Sequence, residues 1–415
     1  MTTPPAPEQG ATYREVLANP RFRLLFLTRT LTITADSLRI MTLSVLVFGT
    51  TGSPLLGALA FGIGFLPQLL GSFFLGSLAD RLRPRRLIIA GYGFECAAAA
   101  TMGLTHLPVT AILLLIAAVA CLTPVFGGVS NRLVAETLSG DAYVLGRSMY
   151  NMSASAAQLL GLAGGGIAVA LLGPRHALLV SAGGYAVAAV AIRLRLPDLP
   201  APNPPAPEQA AAPGGARKDS DSVMRHSWSR ATRLFADRRV RRLLIAQWLP
   251  PAFVAGAESL IVPFAGSRDL PAGASGPLLA CLPMGMLAGD LAIGRFVRPA
   301  ARERFVVALV AVLGLPLVGF VLDPPYAVCA VLLLISGTGF AYGLGLQRDF
   351  LDALPEESRG QAFGLLTSGL MSFQGVAPVV LGAAAEFTDA GAAMAMAGVA
   401  TLCMVPYLVR TRNAT

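Results

Sequence analysis

The sequence predicts an all-α polytopic membrane protein with twelve transmembrane helices in two pseudo-symmetric six-helix bundles. Three observations carry this. The chain is 54% hydrophobic with only 13% charged residues and mean hydropathy +0.64, where a soluble domain carries about 25% charged residues. Its apolar residues gather into stretches long enough to cross a bilayer as helices, about 20 residues each. Its two halves open on similar segments, Ala18-Asn-Pro-Arg21-Phe-Arg23-Leu-Leu and Ala236-Asp-Arg-Arg239-Val-Arg241-Arg-Leu-Leu, as parallel repeats would.

The expected spans are 22–48, 54–79, 86–105, 108–129, 150–172, 174–194, 242–265, 275–297, 304–322, 326–346, 361–385 and 389–409. The many Gly and Pro residues are compatible with this, because neighbouring membrane helices re-satisfy interrupted backbone. Residues 1–20 are polar and Pro-rich, without the short apolar core of a signal peptide. The net charge of +9 is not spread as in a nucleic-acid binder. Arg175 and Arg268 fall in loops of one side, Arg29 and Arg39 inside the first span, and the other basic residues at the termini and alternate loops. That asymmetry predicts cytoplasmic termini.

Residues 197–223, rich in Pro, Ala and Gly, read as a linker that splits the spans six and six. The expected organisation is an N-terminal bundle over 1–195, a cytoplasmic linker over 196–241 and a C-terminal bundle over 242–415. Residues 224–242 mix Trp228, Leu234 and Phe235 with many Arg; a helix at the lipid surface and a solvated basic loop both fit. Cys96, Cys121, Cys281, Cys329 and Cys403 are scattered singly, and His106, His176 and His226 form no metal pattern. No Gly-x-x-x-x-Gly-Lys-Ser/Thr motif offers a nucleotide site. No cofactor or metal is expected, and the expected energy source is a proton gradient.

Between the second and third spans the chain reads Gly76-Ser-Leu-Ala-Asp80-Arg81-Leu-Arg83-Pro-Arg85-Arg86. This acidic-then-basic turn resembles the loop between helices two and three of the major facilitator superfamily. The likeness extends over nearly the whole chain. Ala35-Asp36, Thr51-Gly-Ser, Leu66-Pro67, Gln158-Leu-Leu-Gly161, Leu171-Leu-Gly-Pro-Arg-His and Leu354-Pro-Glu-Glu-Ser-Arg359-Gly360 resemble, in order, drug and siderophore exporters of the third drug–proton antiporter group. There are departures: Arg83 and Pro84 stand where the family turn has Gly and a basic residue, and Leu162 follows Gly161 where the antiporter signature has Pro. In the second half, Gly294-Arg-Phe-Val-Arg298 puts Arg at the place of Asp80.

The resemblance implies secondary transport by alternating access, with helices one, four, seven and ten around a central cavity. It implies proton-coupled efflux of a small amphipathic compound (drug, secondary metabolite or siderophore) by a functional monomer in a bacterial cell (inner) membrane, with substrate, protons and lipid as partners. Uptake of a nutrient or organic anion is the rival. An enzyme would need clustered catalytic groups at membrane depth, and the sequence offers none.

Candidate site residues follow. Asp36 lies mid-span, where a carboxylate is costly unless it faces a cavity or partner. Arg39 shares its helix face, so a proton- or substrate-binding carboxylate and a self-neutralised pair both fit. Glu258 lies one turn from the position matching Asp36 in the second half, with no nearby base. A cytoplasmic gate is expected from Gly76, Asp80, Arg81, Arg85 and Arg359: the Asp80 carboxylate would accept from the N-terminus of the eleventh helix. Gly161, Gly165, Pro378 and Gly382 are expected packing or hinge positions. Glu95 and Asp290 read as structural, and Phe253, Phe264, Phe340, Tyr342 and Phe373 as possible linings of an apolar pocket.

Overall fold

In the computed structural model, residues 12–75, 83–138, 140–198, 235–268, 270–354 and 359–412 are described. Apart from a short helical turn at Tyr13–Ala18, these build twelve membrane crossings. In the N-terminal half they are α1 (Pro20–Thr51), α2 (Pro54–Gly62, resuming as Phe65–Leu75), α3 (Pro84–Leu104), α4 (Val109–Thr137), α5 (140–172) and α6 (174–195). In the C-terminal half they are α7 (Arg238–Ser259, continued by Ile261–Gly266), α8 (Ser275–Phe296) and α9 (Pro299–Val318). Then come α10 (Tyr326–Thr338 and Tyr342–Asp352, joined by a 3-10 turn), α11 (Arg359–Phe387) and α12 (Ala390–Leu402, continued by Met404–Arg412).

Eleven helices among the described residues are long and apolar enough to cross a bilayer. The run Leu145–Arg195 has 51 residues, or about 75 Å at 1.5 Å per residue, and crosses twice. It turns at one residue, Gly173, with φ 76° and ψ 163°, a backbone region essentially closed to residues with a Cβ. Six crossings in each half put residues 12, 198, 235 and 412 on one face, called here the terminal face. The other is the distal face.

The echo between the halves has a structural cause. Asn19 and Asp237 each cap the first helix of their half: Asn19 Oδ1 accepts from the N–H of Arg21 (3.0 Å) and Phe22 (3.2 Å), and Asp237 Oδ1 from Arg239 (2.7 Å) and Val240 (3.2 Å). Short polar side chains satisfy helix-start donors this way.

The halves meet toward the distal face mainly along two helix pairs, with Phe48 of α1 also lying against Gly266 of α7. α5 approaches α8 so closely that a Cβ on Gly166 would lie 2.8 Å from Gly276 Cα. α2 lies on α11: a Cβ on Gly382 would lie 3.0 Å from Leu55 Cα, and one on Gly62 would lie 2.6 Å from Pro378 Cγ. Small residues permit such backbone proximity where lipid gives helices no hydrophobic drive to associate. At the distal end of this seam the Ser53 hydroxyl and the Leu55 N–H both donate to Glu386 Oε1 across the halves. Pro378 and Gly382 are thus seam residues. Gly161 and Gly165 instead pack α5 on α1 inside the N-terminal half, against Thr34, Ser37 and Leu38.

Candidate functional site

A half-buried strip of Arg29, Ile33, Asp36 and Ile40 runs along α1. These residues recur at helical spacing. Ile40, distal to Asp36, packs into the cluster of buried residues that bridges both halves. Asp36 therefore sits just on the terminal side of the seam, at mid-depth.

Behind Asp36 lies a buried polar cluster drawn from three helices. Arg39 Nη2 pairs with Asp36 Oδ1 at 2.5 Å; the Arg39 side chain is 8% exposed and that of Asp36 29%. Tyr185 of α6 donates its hydroxyl hydrogen to the same Oδ1 at 2.6 Å and accepts from Arg39 Nε at 3.2 Å. Arg39, Asp36 and Tyr185 close a triangle in which the carboxylate takes two charge-assisted contacts. Ala35, Ala99 and Ala182 are buried beside Tyr185; their small size brings α1, α3 and α6 close enough for it.

Glu95 of α3 is buried in the field of Asp36 and Arg39. Arg39 Nη1 is buried without a hydrogen-bond partner among the described residues. The cluster thus holds two carboxylates and one guanidinium, and a single proton makes it neutral. Glu95, read from the sequence as structural, lies buried beside this polar cluster. Tyr185 was missed altogether, because nothing near it in sequence marks it. Its neighbour Gly184, which lies against Ala35, is the one local hint.

Arg29, placed by the sequence inside the first span, stacks over the ring of Tyr150 with 4.3 Å to the centroid. On α7, Gln247, Pro251 and Glu258 share a half-buried face. No charged side chain faces Glu258 among the described residues. Counted from the distal ends of their helices, Glu258 lies roughly two turns nearer the distal face than Asp36.

Gly76, Asp80 and Arg81 lie outside the described residues. Among the described residues α11 runs from Arg359. Arg85 donates to the Arg193 carbonyl at 2.5 Å, and Arg83 pairs with Asp198 at 3.0 Å. The basic end of the turn therefore docks on the end of α6 in its own half. Asp290 is exposed and makes no ion pair with Arg295 among the described residues.

Of the aromatic candidates, two are core residues. Phe264 is buried edge-on against Phe320 at 5.2 Å. Tyr342 is buried and donates to the Ala246 carbonyl at 3.1 Å. That carbonyl faces Pro250, which has no N–H to complete the helix bond. The tyrosine repairs the break. Phe373, half-exposed, tilts on Trp248 at 5.7 Å.

Two six-helix bundles meeting at a small-residue seam, with an ionisable cluster at mid-depth beside it, are the construction of a membrane transporter. The sequence agrees: residues 25–351 match the model of the Major Facilitator Superfamily, and the chain belongs to that family. No curated protein sequence matches it significantly. Among solved structures, the nucleoside transporter NupG is similar with TM-score 0.71 at 14% identity, over 94% of this chain and 98% of that one. A bacterial homolog of the human lysosomal transporter Spinster, in an inward-facing and unoccupied conformation, gives 0.67 at 16% identity, over 94% and 95%. The peptide transporter POT in complex with alafosfalin gives 0.64 at 16% identity, over 94% and 95%. At these identities the likeness is one of fold.

Proposed function

We propose that this secondary transporter couples proton entry to export of a small amphipathic organic compound from a bacterial cell, working as a monomer in the inner membrane with both termini cytoplasmic. The observation that carries the reading is the half-exposed Asp36 carboxylate on the seam-facing strip of α1, held by Arg39 and Tyr185. A carboxylate at membrane depth that is open on one side and braced on the other can exchange a proton without leaving an unpaired charge in a dry interior. Glu258, without an ionic partner among the described residues, offers a second carrier nearer the distal side. The halves are sealed distally, so with cytoplasmic termini the seal is extracellular and the terminal face is the side of substrate entry. The Asp80 turn would latch that face against the start of α11 in the opposite state, with Arg85 and Arg83 anchoring the turn to α6.

The basic distribution supports the orientation. The resemblance to the third drug–proton antiporter group supports the direction. Uptake of an organic anion is the second reading, favoured by the unpartnered Nη1 of Arg39, which an anionic substrate could engage.

The test uses inverted vesicles with an imposed pH gradient. Adding a transported drug releases protons from the vesicle lumen, and Asp36→Asn or Glu258→Gln abolishes that release. Unchanged coupling in both variants sinks the coupling assignment. Accumulation driven only in right-side-out vesicles replaces export with uptake.

A further inference from the structure

Glu386 stands near the distal end of α11, yet its partners belong to the other half. Its Oε1 accepts from the Ser53 hydroxyl and, at 3.1 Å, from the Leu55 N–H. These are donors at the N-terminus of α2. Pro54 occupies its first position and has no N–H, and Leu56 N–H is already taken by Ser53 Oγ at 3.1 Å. Glu386 thus meets the one remaining early donor of α2, at the positive end of that helix. The approach is possible because Gly382, one turn before Glu386, lets α11 touch Leu55 and Ala58.

Glu386 has a control close by. Asp389 also caps a helix start, accepting from Ala392 N–H at 2.8 Å, but that helix is α12 of its own half. Only the Glu386 contact must break when the halves part distally. It can break cleanly: Ser53 keeps its hold on Leu56, and the Leu55 N–H, at an exposed position, passes to water.

We propose that Glu386 is the releasable latch of the distal gate, a carboxylate of α11 holding the N-terminus of α2. It would be the reverse of the latch expected on the terminal face, where a carboxylate at the end of α2 meets the N-terminus of α11. The inference rests on membership of a family that works by alternating access, not on the direction of transport or its coupling ion.

The test places spin labels at Leu104 and Leu322, exposed at the distal ends of α3 and α9, in the full-length protein in lipid nanodiscs. Pulsed electron–electron distances are then compared. Glu386→Ala raises the long-distance, distally open population about fivefold or more. Glu386→Gln, which keeps an acceptor without the charge, raises it less, and Asp389→Ala leaves the distribution unchanged. An unaltered distribution in Glu386→Ala overturns the proposal, and so does an equal shift in Asp389→Ala. Should Glu386→Ala not accumulate, an unaltered distribution in Glu386→Gln and Ser53→Ala overturns it.

Discussion

The two halves share an outline and differ in what fills it. The N-terminal half buries ionisable groups: Asp36, Arg39, Tyr185 and Glu95 converge from α1, α6 and α3. The C-terminal half buries broken backbone: Pro250 and Pro251 interrupt α7, and a 3-10 turn interrupts α10. There, polar side chains serve carbonyls. Tyr342 reaches Ala246, and Trp248 Nε1 reaches Leu366 at 2.9 Å. The two bundles therefore share an outline but not their buried chemistry. The paired charges of Asp36, Arg39 and Glu95 sit in one half and the adjacent prolines Pro250 and Pro251 in the other, across a seam of small residues.

The sharpest way to break this contrast is Arg39→Ala. It leaves Asp36 and Glu95 without their shared cation, and loss of one partner of a buried pair costs about 3–5 kcal/mol. Thermal unfolding of the purified protein should show the largest fall of any single substitution here, and the double variant Asp36→Asn/Arg39→Gln should be milder. Equal losses in the two would mean that the cluster is not organised by charge.

The matching test of the C-terminal half is Tyr342→Phe, which orphans the Ala246 carbonyl at a cost of about 1–3 kcal/mol. In a Pro250→Ala background the helix regains its own N–H donor, and the cost of losing the hydroxyl should shrink by about 1 kcal/mol. An unchanged cost would show that Tyr342 acts through its ring alone.

The smallest effects concern the distal clamps. Arg268 takes the carbonyls of Asp323 (2.7 Å) and Pro324 (2.5 Å) and pairs with the Asp323 carboxylate at 2.8 Å, steadying a residue with φ 54°. Arg175 makes one bond, to the Thr105 carbonyl at 3.2 Å. Arg268→Gln should cost about 1 kcal/mol and Arg175→Gln roughly half that, as exposed contacts do. Chemical denaturation in mixed micelles can rank them, and a reversed order would remove this difference between the halves.

The spans were legible in the sequence because hydropathy is local, and so was the pairing of Asp36 with Arg39, three residues apart on one helix. The echo around Ala18 and Ala236 was legible as a repeat; its cause, the matched caps Asn19 and Asp237, shows only in the hydrogen bonds they accept. Tyr185 and the Ser53–Glu386 contact were illegible for a common reason. Their partners lie 149 and 333 residues away, and no periodicity connects such distances. The expected spans 150–172 and 174–194 put the α5–α6 boundary at Gly173, where the backbone turns. Those spans leave only residue 173 between them, as the structure does, but Arg175, expected in a loop, lies in the first turn of α6.

That one-residue turn has a consequence for how the protein enters its membrane. Between α5 and α6 nothing polar has to cross the bilayer except the ends of the helices and Gly173 itself. The two can insert as one hairpin without hauling a hydrated loop through hydrocarbon. Seen from the distal side, the molecule shows no handle there for an antibody, a protease or a label. A topological tag belongs in the longer connections around Arg268 or Asp323.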